Sequence, residues 1–172
     1  MIRASIALLA AVICAMSAAG QSAVDSRHRK SDSTPTLSGV DAQRLLEGRC
    51  QLATSTAQLP EKLKAAFAML TREPEFSVAN PGEKYQATDV MTRHKLPIRR
   101  LVIAGNCSGY WFVHSEHGGI GHGYALVFFQ TDSKGEMELV WGGRGFYGSS
   151  SCAELRNAIA SKKFADDPPF YW

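Results

Sequence analysis

The sequence predicts an α+β fold: two N-terminal helices, a four-stranded antiparallel β-meander and a C-terminal helix. Three observations carry that expectation. Between Ile98 and Trp141, four runs rich in aromatic and β-branched residues are separated by short glycine-bearing turns, the pattern of strands that pair with their sequence neighbours. Ahead of them, Leu63, Ala66, Phe67 and Leu70 recur at i, i+3, i+4 and i+7, one face of a helix. Behind them, Ser151 and Glu154 fit a capping box leading into Leu155, Ala158 and Ile159. A chain of 172 residues accommodates one such domain.

The N-terminus reads as an address rather than as fold. Arg3 is the only charge before an apolar run from Ile6 to Met16, and Ser17-Ala-Ala-Gly-Gln21 follows. That arrangement is expected of a secretory signal peptide over residues 1–20, cleaved after Ala19 or Gly20. The apolar run falls short of the roughly 20 residues that span a bilayer. Export to a periplasm or the exterior is therefore expected. A lipid anchor on Cys14 is the lesser alternative, because Ile13 stands where lipoprotein signals carry a small residue. Residues 21–39 are mostly Ser, Thr, Asp, Arg and Lys, with Pro35 and Gly39, and too little there is apolar to offset the entropy of ordering. They are expected to form a flexible leader, with Arg27 to Lys30 as solvated charge, and the folded domain to occupy residues 40–172. Export would leave Cys50, Cys107 and Cys152, two of which pair in an oxidising compartment; spacing leaves the pairing open. The net charge of +3 is spread along the chain, without the clustered basic face that nucleic-acid binding needs.

Each element has its own signals. Ser38 followed by Asp41 resembles a helix entry, and Val40, Leu45, Leu46 and Leu52 make a loose apolar stripe, read as a first helix that Gly48 weakens by about 1 kcal/mol. Pro60 suits the first position of the second helix, Glu61 complements its dipole, and Pro74 ends it. Asn80-Pro-Gly82 is a turn. Tyr85 to Lys95 fits either a short helix capped by Thr88 or Asp89, or an extended run, with His94 exposed. The expected strands are Leu101–Ile103, Tyr110–Glu116, Gly123–Gln130 and Glu136–Trp141, turning at Gly105–Gly109, Gly118–Gly121 and Asp132–Gly135. Gly142 to Ser151 reads as a flexible glycine–serine loop. The tail Pro168–Trp172 is expected to dock its aromatics on the domain.

Pairing His117 with His122 sorts the faces by strand alternation. One face then carries Leu101, Ile103, Trp111, Val113, Leu126, Phe128, Leu139 and Trp141, to be covered by the early helices. The other carries Arg100, Phe112, His114, Glu116, Ala125, Phe129 and Glu138 as a mixed surface.

His114, Glu116, His117 and His122 are the one clustering of metal-capable side chains in the sequence. Only His117 and His122 face each other under that pairing, and two histidines make a weak metal site. A histidine-dependent hydrolase would draw its nucleophile from Ser115, Cys107 or Cys152, its base from His117 or His122, and its orienting carboxylate from Glu116 or Asp132. No nucleophile elbow accompanies them. Arg144 and the glycine–serine loop suggest an anion cradle, but the ending of a P-loop is missing. What the residues favour is recognition. The turn His117-Gly118-Gly119 to His122 and the loop after Trp141 fall at one end of a meander, where His117, Gly118, Gly119, His122, Tyr124, Arg99, Arg144 and Phe146 would form a continuous rim. The expected function is that of a small exported, non-catalytic binding or inhibitory protein. Its partner would be another envelope or extracellular protein or a cell-wall fragment, and no cofactor is implied.

Overall fold

In a computed structural model the chain is described over residues 44–88, 96–119 and 121–166. The expected signal, the leader, His94 and the aromatic tail lie outside those residues.

The sheet is the centre of the domain. Its strands are β1 (Cys50–Ala53), β2 (Val78–Ala79), β3 (Arg99–Cys107), β4 (Tyr110–His117), β5 (Gly123–Thr131), β6 (Met137–Gly145) and β7 (Ala165–Asp166). The spatial order is β1-β3-β4-β5-β6-β7, and β2 also pairs with β3. The expected four-stranded meander is thus β3 to β6, all antiparallel. Short strands extend both of its edges: β1 pairs antiparallel with the second half of β3, β2 pairs parallel with its first two residues, and β7 pairs with β6. Among the described residues the two longer helices are α1 (Glu61–Thr71) and α2 (Cys152–Ala160). Ser151 caps α2 by accepting from the Glu154 amide at 3.3 Å, one half of the expected capping box; the Glu154 carboxylate reaches back one residue further, to the Ser150 amide. The α+β class holds, with more strands than the sequence suggested.

Three element assignments are corrected. Gly105 to Cys107, expected within the first turn, continues β3, leaving Ser108 and Gly109 to turn the chain. Of the first expected helix, residues up to 43 lie outside the described ones; residues 44–46 are helical, but Cys50 to Ala53, expected to continue the apolar stripe through Leu52, is strand. A disulfide joins Cys50 to Cys107, and pairing of Leu52 with Gly105 recruits this segment to the sheet edge, leaving Leu52 about half exposed. Glycines 142, 143 and 145, read as loop, instead continue β6 opposite β5. At Gly143 a Cβ would come within 2.2 Å of the Trp141 ring, so glycine lets that indole lie flat along its own strand.

The larger correction is register. His117 pairs with Gly123, not with His122. A slip of one residue exchanges the faces of one strand relative to its neighbour, and bulges at Val102 and Val140 exchange them again within β3 and β6. The residues expected on a single core face are therefore divided. Ile103, Leu126, Phe128 and Trp141 pack with Phe112 under Leu45, Leu46, Leu155, Ala158 and Phe164. Leu101, Val113, Trp111 and Leu139 pack with Val127 and Phe129 under Leu63, Ala66 and Phe67 of α1. Both faces of the sheet are covered, which is why Ala125 to Phe129 is an unbroken buried apolar run.

Candidate binding rim

The β4–β5 turn and the segment after β6 meet at one end of the sheet, because Tyr124 pairs with Gly145 and His117 with Gly123. Three groups of residues define this end: a carboxylate hub on one face, a buried ion pair on the other, and a latched loop beside them.

Glu116 is the hub. Its Oε1 accepts from Arg100 Nε at 2.5 Å, and its Oε2 lies 3.2 Å from both the Tyr85 hydroxyl and His122 Nε2. The Arg100 guanidinium also sits 4.6 Å from the centroid of the Tyr85 ring, a cation–π arrangement. Burial works to raise the Glu116 carboxyl, but the Arg100 bond and charge, helped by His122 and Tyr85, outweigh it and hold the group below the usual carboxylate range. Glu116 is thus an ionised anchor rather than an acid. Burial, then the Glu116 charge, pushes the Tyr85 phenol up, and the Glu116 bond pushes Arg100 up. Beyond this anchor the His122 ring is half exposed and lies 5.3 Å from the Tyr124 ring.

Gly118 and Gly119 are held from above. A Cβ on Gly118 would come within 2.3 Å of the Ala87 backbone, and the Gly119 amide donates to the Ala87 carbonyl at 3.1 Å. The segment carrying Tyr85 therefore rests directly on the turn. Gln86 anchors its other side through its amide to the Pro97 carbonyl at 2.8 Å.

On the opposite face Arg99 pairs with His117 across the strands, yet its side chain is buried and forms an ion pair with Glu73, just beyond α1. Arg99 is only 1% exposed, so it ties α1 to β3 beneath the rim and offers no surface for contact. His117 is half-buried on the same face, its ring over Gly123. Arg144 is half-buried and pairs with Ala125, on that face as well.

The loop is fixed by His114. This side chain is fully buried; its Nδ1 lies 2.8 Å from the Ala125 carbonyl and its Nε2 accepts from the Ser149 amide at 3.1 Å. A carbonyl can only accept and an amide can only donate, so the ring is neutral with its proton on Nδ1. Burial lowers its pKa from 6.5 to about 4, against the Ala125 bond and the Glu116 charge, which raise it. Glu154 accepts from Ser149 Oγ at 3.3 Å and from the Ser150 amide at 3.0 Å. Lys163 sits 4.0 Å from the centre of the Tyr147 ring. Between these fastenings and the end of β6, Phe146 stands 86% exposed.

Of the residues expected on the rim, His117, Gly118, Gly119, His122, Tyr124 and Phe146 gather at this end of the sheet, Arg144 is half-buried below it, and Arg99 is internal. The two histidines expected to face each other part: His122 reaches the Glu116 face and His117 the Arg99 face. Ser115, one of the three candidate nucleophiles, is 1% exposed on the Leu101 face, away from the His122–Glu116 pair. Sequence reasoning missed Tyr85, Ser149 and Glu154. Glu154 had a signal in its capping box, but Tyr85 lies in a segment without periodicity. Compared with family models, curated proteins and solved structures, the chain matches none.

Proposed function

We propose that this chain is a small exported, non-catalytic binding or inhibitory protein that engages its partner through the rim of His122, Tyr124, Phe146 and the Gly118–Gly119 turn. The partner class is an envelope or extracellular protein, or a cell-wall fragment. The observation that carries the reading is Phe146, a large apolar ring left in water on a loop that His114, Glu154 and Lys163 hold in place. An aromatic anchor on a preorganised loop is what concentrates binding energy at an interface, because little ordering entropy remains to be lost on association. Glu116 serves the same end, orienting His122 and Arg100 with no proton of its own to give. Export is supported by the N-terminal pattern and by the Cys50–Cys107 disulfide. No described helix is long and apolar enough to cross a membrane.

The test is capture from the envelope fraction at low salt, with the protein and a Phe146→Ser, His122→Ala variant as baits. The variant should keep its melting temperature and weaken capture by about 30-fold or more, the effect of truncating an aromatic hot spot. Equal capture by both baits sinks the reading. A histidine-dependent hydrolase remains the second reading on one observation, the His122–Glu116 contact. It requires turnover of an ester, amide or glycan substrate that disappears in His122→Ala.

A further inference from the structure

The other end of the sheet carries a second cluster. Cys50 and Cys107 form the disulfide, and the Cys152 thiol is free. All three sulfurs lie within 4.8 Å of one another. Cys107 is fully buried in the apolar cluster with Phe112 and Leu155, whereas Cys50 and Cys152 are half-buried at its margin. The three come from separate elements: the edge strand β1, the end of β3, and the first residue of α2.

We propose that these sulfurs form a thiol–disulfide exchange site, in which Cys152 displaces Cys50 from Cys107 and so moves the covalent staple from β1 to α2. The Cys152 thiolate attacks Sγ of Cys107. The Cys107–Cys152 bond forms as the Cys50–Cys107 bond breaks, and the electron pair leaves on Cys50 Sγ, which takes a proton from water equivalent to the one Cys152 gave up. No net oxidation occurs and no outside reagent is consumed. Cys50 is the leaving group because its thiolate emerges at the half-exposed sheet edge. Expelling Cys107 would strand a charge in an apolar cluster. Burial raises the Cys152 thiol, with Arg156 acting against it, so exchange is driven by alkaline incubation rather than by the resting state. After exchange, β1 keeps only its ladder to β3, and Cys50 becomes the thiol that can meet an external thiol or disulfide.

The experiment uses the oxidised protein with Cys14→Ser, so that three cysteines are scored. It is incubated natively at about pH 8.5, near the ordinary thiol pKa, then acid-quenched, alkylated and mapped by peptide mass spectrometry. The expected result is a Cys107–Cys152 peptide with alkylated Cys50, appearing at a rate independent of protein concentration and absent from Cys152→Ser. In Cys50→Ser, refolded in a glutathione buffer, Cys107 and Cys152 should pair. Retention of Cys50–Cys107 alone after prolonged incubation, with only Cys152 alkylated, overturns the proposal. A Cys50–Cys152 product overturns it equally, since Cys107 would then be the leaving group.

Discussion

At the scale of single residues, the two most consequential side chains are buried and polar, and each carries a measurable signature. His114 is bound neutral, with a folded pKa of about 4 against 6.5 for the free side chain. Between those values the unfolded chain takes up a proton that the folded chain refuses, so stability falls as pH drops from 6.5 to 4 and the loss levels off below. The size is about 3 kcal/mol at most, from about 1.4 kcal/mol per pKa unit. Urea unfolding at a series of pH values should show this loss in the native protein and not in His114→Asn; parallel pH profiles would refute it. Because His114 also holds the Ser149 amide, the Ser149 N–H should lose exchange protection over the same range. Arg99 and Glu73 are the second case. Removing one partner leaves a buried charge alone, so Glu73→Gln should cost about 3 kcal/mol or more, read as a lowered denaturant midpoint at unchanged slope. A change below about 1 kcal/mol would mean that Arg99 reaches water or another partner when Glu73 is neutralised.

At the scale of elements, what was legible depended on whether the signal was local. Helix α1 is read from four apolar residues at helical spacing and α2 from its capping box, and both form where expected. The four long strands were legible from their turns. Their faces were not, because alternation fixes a face only once register is known, and the Gly118–Gly121 turn admits two registers one residue apart. The structure selects the one that sends both Phe112 and Phe128 into one layer, and Val113 and Val127 into the other. The bulges at Val102 and Val140 have no signature in composition. The Glu116 hub is half legible: strand alternation puts Arg100 and Glu116 on one face, whereas Tyr85 arrives from a segment whose position is set by contact with the turn. That contact yields a prediction. Gly118→Ala puts a methyl group into the Ala87 backbone, so the 85–88 segment must lift. The Gly119 amide, which donates to Ala87, should then exchange rapidly while the amides of β4 and β5 stay protected. Unchanged Gly119 protection would show that the segment shifts without separating.

At the scale of the whole domain, one sheet separates two apolar clusters, and cooperativity must pass through its strands. Leu63 of α1 and Leu155 of α2 are both fully buried and belong to opposite layers. Either one cut to alanine should destabilise by about 2–5 kcal/mol, the range for a buried leucine whose cavity only partly collapses. The two layers share the strands between them: successive residues of β5, such as Leu126 and Val127, point into different clusters. Neither cluster can dissolve while the sheet persists with the other intact, unless the helices detach alone. The expectation is therefore a single unfolding transition in each variant, with the same midpoint by tryptophan fluorescence and by far-UV circular dichroism. The double variant should lose the sum of the two effects to within about 0.5 kcal/mol, because the substituted side chains share no partner. Two separated transitions in Leu155→Ala would instead mark the α2 layer as an independently melting unit. That would place the latched loop, which hangs between β6 and α2, in the less stable half of the domain.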